Sequence, residues 1–241
     1  MNLCPCSFCT SFFARLEWKQ MEKPENLQGG SSQREIPSFA ENSEKLKSLL
    51  EGSHVYSDDQ QFDAEAAWKE WVKERKFIAS AIDKDGSLLD FGSANGLLLK
   101  SLEQWSERKI DPYGLDIDIR AIQEAKELFP QQESHFATPE ELKSRKDFPR
   151  TFDFIYWNVW DNHVLKADDE ILSKLKSEVK NGGRLILGFY DTKDKNNAKI
   201  QNLMNAGSQP SYVMENPDGG DQVIAWFDFG RDRGASEGAE K

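Results

Sequence analysis

Ser87-Leu88-Leu89-Asp90-Phe91-Gly92-Ser93-Ala94-Asn95-Gly96-Leu97-Leu98-Leu99-Lys100 is the stretch around which the rest of the chain is organised. A short apolar run ends in an acid, a glycine-rich turn follows, and an apolar-periodic segment begins. This is the layout of a buried strand feeding a helix through a ligand-binding loop. Gly92 and Gly96 permit backbone geometry or close approach that a side chain would forbid, and Ala94 between them is the next smallest residue. Some ligand group is expected to lie against that turn. Downstream, Pro112-Tyr113-Gly114-Leu115-Asp116 reads as a second strand that also ends in a carboxylate, at the spacing of a ribose-binding acid in a nucleotide-binding βαβ unit. Two acids at successive strand ends suit a ligand that carries a ribose.

The order Asp-Phe-Gly-Ser-Ala-Asn-Gly at 90–96, then Tyr-Gly-Leu-Asp-Ile-Asp at 113–118, resembles the Rossmann-like S-adenosylmethionine-dependent methyltransferases. It fits the dinucleotide fingerprint less well, because the third glycine position is Leu97 and the middle one is Ala94, while an acid at Asp90 would repel phosphate. Lys-Asn-Gly-Gly-Arg-Leu-Ile-Leu at 180–187 resembles the turn and strand that follow the fourth helix in these enzymes, a third match in the same order. The resemblance covers about residues 41–230. It implies an α/β fold with a Rossmann-like, doubly wound, seven-stranded sheet, mainly parallel and ending in an antiparallel hairpin, and it implies S-adenosylmethionine as cofactor. It does not specify the methyl acceptor. The rival is an NAD(P)-binding oxidoreductase, which predicts a further helical crossover in place of the hairpin.

The formal charge is −11, from 31 basic and 42 acidic residues. That argues against a broad phosphate-binding face, and so against nucleic acid, whose affinity comes mainly from Lys and Arg neutralising phosphates. It argues equally against polybasic attachment to a membrane, and no apolar run approaches the ~20 residues of a spanning helix. A cytoplasmic protein is expected. Cys4, Cys6 and Cys9 all stand at the start, where they staple nothing in the folded part. They lack the fourth ligand usual for zinc, and no metal site is predicted.

Residues 1–40 read as a disordered leader in which Met21 is an alternative start, because their polar half cannot bury enough apolar surface to offset ordering entropy. Residues 231–241 read as a polar tail. Between them, 41–230 is one domain whose first part, 41–82, is a helical lid. A short helix there carries Leu46, Leu49 and Leu50, and a longer one over 63–82 carries Trp68, Trp71, Val72, Ile78 and Ile82 on one face. Tyr56 between them reads as a surface tyrosine, with a place in the lid as the alternative.

Next come a helix over 96–107 burying Leu98, Leu102 and Trp105, and a helix closed by Pro130 with Ile119, Ile122, Ala125 and Leu128 inward. A short strand over 134–137 precedes the capping box Thr138-Pro139-Glu140-Glu141. Phe152 to Trp157 is apolar enough for a central strand covered on both faces. A helix capped by Asp168 runs to Val179 and stops at Asn181-Gly182-Gly183, a strand spans 184–190, and a weakly specified helix reaches Ala206. Strands over 212–215 and 222–229 form the hairpin.

Within the resemblance, Asp116 would accept the ribose hydroxyls, with Ile117 against the adenine face and Asp118 capping the following helix. Gly92, Ser93, Ala94 and Gly96 would let the backbone approach the cofactor's amino-acid end, and Asp90 would face its ammonium group directly or through water. Asn158, after the fourth strand, completes the cofactor set. The family often places an acid after the third strand for the adenine amino group. The corresponding residue here is Thr138, which is also the helix cap.

Methyl transfer needs orientation more than a protein nucleophile. If the acceptor must lose a proton, His163 is the nearest suitable group in sequence, with Asp161 and Tyr190 next. Trp157 and Trp160 fit an acceptor pocket or the core. Asn158 is followed by Val159-Trp160 and not by Pro-Pro-Tyr, which disfavours methylation of nucleobase or amide nitrogens. The expected partner is a small-molecule acceptor, and oligomeric state is not written in the chain. A methyltransferase-like protein that binds cofactor without transfer is the alternative function.

Overall fold

The structure is a computed structural model that describes residues 43–53, 63–159, 163–166 and 168–230. The predicted leader, Tyr56, Trp160, Asp161, the cysteines and the polar tail lie outside the described residues.

Two helices come first, α1 (Ser43–Gly52) and α2 (Ala64–Arg75), and a 3₁₀ turn, Lys76–Ala81, continues α2. Then follow β1 (Gly86–Phe91), α3 (Leu97–Trp105), β2 (Ile110–Leu115), α4 (Ile119–Leu128), β3 (Phe136–Ala137), α5 (Pro139–Leu142) and β4 (Phe152–Asn158). The chain closes with α6 (Glu170–Ser177), β5 (Val179–Phe189), α7 (Lys193–Asn205), β6 (Tyr212–Glu215) and β7 (Val223–Asp228). The strands form one sheet in the order β3-β2-β1-β4-β5-β7-β6. The first five are parallel, and β7 enters antiparallel between β5 and β6. The hairpin therefore stands where a dehydrogenase would place another crossover, and the expected fold is the one observed.

Successive side chains of a strand point to opposite faces, so a strand covered on both sides reads as a continuous apolar run. Leu88, Phe154, Ile186 and Trp226 pack on one face beneath Leu46, Trp68, Ile78, Leu99, Leu102 and Ile122 from α1 to α4. Leu89, Ile155, Trp157, Leu187 and Phe227 pack on the other beneath Leu172, Leu175, Ile200 and Leu203 from α6 and α7. Asp90 belongs to the first face. It lies in register with Gly114 of β2 and Tyr156 of β4, so an acid occupies the strand position where apolar cover gives way to the loop.

Several boundaries differ from the sequence reading. The helix expected over 63–82 is α-helical only to Arg75; the tighter turn that follows brings Phe77, Ile78, Ala79 and Ala81 all into the core. In α3 the fully buried apolar residues are Leu97, Leu99 and Leu102, whereas Leu98 and Trp105 are half-buried, so the helix is rotated from the expected face. Ile119, in the first turn of α4, is 55% exposed. Asp169, not Asp168, caps α6, accepting from the Leu172 N–H. The α6 helix stops at Ser177, and β5 starts at Val179, running through Gly182 and Gly183 as the expected turn does not. An added Cβ at Gly183 would lie 2.6 Å from the Asp153 carbonyl oxygen; the missing side chain lets the two strands approach there. The capping box is formed as expected, with Thr138 and Glu141 each accepting from the other's backbone. No helix among the described residues is long and apolar enough to cross a membrane.

Candidate cofactor and acceptor site

The loop after β1 takes three left-handed residues in five positions: Gly92 at φ 89°, Ala94 at φ 45° and Gly96 at φ 78°. Ala94 is the costly one, since a Cβ disfavours that region. Its N–H donates to Asp116 Oδ2 at 2.9 Å, which holds the strained residue in place. The other oxygen of Asp116 accepts from the Asp118 N–H at 2.9 Å, and Asp118 caps α4. Asp116 thus locks both loops across the β1–β2 edge. Each of its oxygens keeps a lone pair for a further donor.

Asn95 anchors the same loop to the lid. It is fully buried; its amide donates to the Leu49 carbonyl at 2.8 Å, and its oxygen accepts from the Ser53 hydroxyl at 2.7 Å. Asn95→Ala should leave the buried Leu97 N–H and the Ser53 hydroxyl without the acceptor they share and cost about 1–3 kcal/mol of stability in urea denaturation. A loss below a few tenths would show that α1 does not depend on this contact.

Beside the loop lies an open cleft of roughly 430 Å³, including its solvent-facing mouth. Asp90, Gly92, Ser93, Ala94, Asn158 and Tyr190 of the expected set line it. The structure adds Ser53, Trp71, Arg75, Leu98 and Tyr156. Trp71 and Arg75 come from the lid; helical periodicity reads Trp71 as core, and nothing in the sequence singles out Arg75.

Asp90 is 3% exposed, and its carboxyl receives no hydrogen bond among the described residues. Burial, reinforced by the Asp116 charge, pushes its pKa from 3.8 to about 8. Ser93 Oγ is likewise buried without a partner among the described residues. It has room because β2 carries glycine alongside it: a Cβ on Gly114 would lie 2.7 Å from that oxygen. Burial raises the pKa values of Tyr156 and Tyr190, so both hydroxyls remain protonated; Tyr156 donates to the Tyr190 oxygen at 3.3 Å, which leaves the Tyr190 proton for a ligand.

These features fit the amino-acid and ribose ends of S-adenosylmethionine. A buried, partnerless carboxyl suits an ammonium group, free lone pairs on Asp116 suit ribose hydroxyls, and Ile117 stands 89% exposed one residue on, as an adenine platform would.

Thr138 sits elsewhere. Its N–H donates to the Glu141 carboxylate, its hydroxyl oxygen accepts from the Glu141 N–H and its carbonyl accepts from the Leu142 N–H, so all three groups serve the cap. His163 is not brought into the cleft lining. Its Nε2 pairs with Asp169 Oδ2 at 2.5 Å and its ring stands edge-on to Trp157, on the opposite face of the sheet from Tyr156. Trp157 itself is core.

A family model described as a methyltransferase domain matches residues 53–223. No curated protein matches by sequence. Among solved structures, the mitomycin 7-O-methyltransferase is 14% identical with a TM-score of 0.48; 68% of this chain is aligned, covering 56% of that one, little more than half its length. A SAM-dependent methyltransferase from Aquifex aeolicus is 18% identical, with 77% and 97% of the two chains covered and a TM-score of 0.45. Aeropyrum pernix fibrillarin, crystallised with natively bound S-adenosylmethionine, is 14% identical over 65% of this chain and 76% of that one, with a TM-score of 0.46.

Proposed function

The chain belongs to the methyltransferase-domain family and is a methyltransferase with S-adenosylmethionine as cofactor, and from that premise we propose that it methylates a small molecule held in the cleft beside Asp90. The observation that carries this is the cleft itself. It opens to solvent beside the glycine loop, and Trp71, Leu98, Tyr156 and Tyr190 give it the apolar and aromatic walls of a small-ligand site. The net charge of −11 supports the same reading, since it disfavours an extended polyanion as acceptor.

When bound, the cofactor supplies a methyl group on a positively charged sulfur. The residues of this chain contribute positioning. Asp116 accepts the ribose hydroxyls while keeping its backbone bonds to the two loops. Asp90, ionised, faces the ammonium group, and Ser93 Oγ offers a hydrogen bond in the same place. The loop contributes close approach and not donors, since the N–H groups of Gly92 and Ser93 bond the Leu115 carbonyl, that of Ala94 bonds Asp116 and that of Gly96 bonds the Ser93 carbonyl. Tyr190, which accepts from Tyr156, donates its own hydroxyl proton into the acceptor end, and Asn158 lies at its rim. Orientation of this kind supplies ~7–11 kcal/mol in favourable cases. A general base is not needed for an acceptor that is already nucleophilic, and His163, bound to Asp169, acts as a fastener of the loop after β4.

Incubation with methyl-labelled cofactor and a metabolite extract, followed by mass spectrometry, should place label on a small molecule. Label found only on RNA or protein supplied in parallel would overturn the acceptor class. Binding of cofactor with no label transferred to any fraction would support a binding protein instead.

A further inference from the structure

Arg75 is the single cation among the described residues lining the cleft, and it is held there unusually firmly. Its guanidinium lies 4.1 Å from the centre of the Trp71 ring and 4.9 Å from that of Tyr190. Cation–π contacts on two rings fix the plane of a side chain that otherwise loses much rotamer entropy on ordering. The side chain is 16% exposed, and Glu74 accepts one hydrogen bond from Nη1 at 2.5 Å. The other N–H groups, on Nε and Nη2, donate to nothing among the described residues. A mostly buried guanidinium with most of its donors unspent, in the wall of a ligand cleft, is a half-made bidentate site.

We propose that Arg75 is a carboxylate receptor in this cleft, an assignment that rests on the cofactor and acceptor reading above. Two sources offer that group: the amino-acid end of the cofactor and the acceptor. The sheet order favours the acceptor. Asp116 stands at the end of β2, the glycine loop follows β1, Asn158 ends β4 and Tyr190 follows β5, so Tyr190, one of the two rings that Arg75 touches, is the part of the site farthest along the sheet from the ribose position. The acceptor would then be a small carboxylic acid with its anion on Arg75 and its body between Trp71, Tyr156 and Tyr190.

The test compares wild type, Arg75→Gln and Arg75→Lys by calorimetry, with thermal melting to show that each variant is folded. Three probes are used: S-adenosylmethionine, its decarboxylated form, and benzoate titrated into protein loaded with the demethylated product. If the acceptor carries the anion, Arg75→Gln leaves both cofactor affinities unchanged and weakens benzoate about ten- to a hundredfold, the range of a charge-assisted hydrogen bond, with partial rescue in Arg75→Lys. If the cofactor carries it, the loss falls on S-adenosylmethionine and spares the decarboxylated form. Equal weakening of both cofactor forms would mean that Arg75 only supports the fold of the site, and that result overturns the proposal. So does a wild type for which benzoate has no affinity and a variant indistinguishable from it on all three probes. A folded wild type that binds neither form of the cofactor would instead overturn the reading on which this one rests.

Discussion

Asp116→Ala should weaken S-adenosylmethionine binding by about a hundredfold or more. The carboxylate is expected to accept two ribose hydroxyls, and each charge-assisted bond is worth about 1.5–3 kcal/mol. It also holds the N–H of Ala94, the left-handed non-glycine residue of the loop, and the N–H that starts α4. Removing it therefore loosens the receptor as well as deleting a contact, and the loss should exceed that of Asp116→Asn, which keeps one acceptor oxygen. Calorimetric titration of the two variants separates the contributions. An unchanged affinity in Asp116→Ala would remove the ribose assignment.

The second large effect lies at Asp90 and depends on pH. Its folded-state pKa, about 8, is above its ordinary 3.8, so between those values the folded protein keeps a proton that the unfolded chain releases. The folded state binds more protons there, and the stability of the free protein should fall as pH rises from about 4 towards 8, by up to ~1.4 kcal/mol per unit, then level off above 8. Asp90→Asn should abolish that slope and make the free protein more stable at neutral pH.

Cofactor affinity should run the other way in the wild type. An ammonium group prefers the ionised carboxylate, so binding below pH 8 must expel a proton and weakens by up to tenfold per unit as pH falls. In Asp90→Asn, binding should be weak and insensitive to pH across the same range. A wild-type affinity independent of pH between 6 and 8, with no proton release in buffers of different ionisation heat, would show that Asp90 does not meet the cofactor's cation. A variant at once more stable and weaker in binding is the expected signature of a buried functional carboxyl.

The strand ends were legible in the chain because their signals are local. Asp90 with its glycine loop, Asp116, the cap at Thr138 and the hairpin turn each follow from a few consecutive residues, and the sheet order follows from matching them to a known arrangement. What was illegible depends on helix phase and on contacts across the sheet. Arg75 looks like one of several wet charges on a helix that also carries Lys69, Lys73 and Lys76; only the end of α2 and the position of Tyr190 turn it into the cleft. The sequence reads Leu98 and Trp105 as core because the apolar run Leu97-Leu98-Leu99 is ambiguous in phase by one residue. Asn95 and Gly114 give no signal for opposite reasons: an asparagine in a loop reads as turn chemistry, and a glycine in a strand has no side chain to announce what packs against it. Proximity in sequence points to His163, but the helix cap six residues on, Asp169, holds its ring.

A crystal structure of the protein grown with S-adenosylhomocysteine tests the account most directly. The ribose hydroxyls should lie within hydrogen-bonding distance of Asp116, the amino-acid end should rest against Gly92–Gly96 with its ammonium group towards Asp90, and the sulfur should face the cleft between Tyr156 and Tyr190. Product bound away from the loop after β1, or bound there with Asp116 facing no hydroxyl, would contradict it.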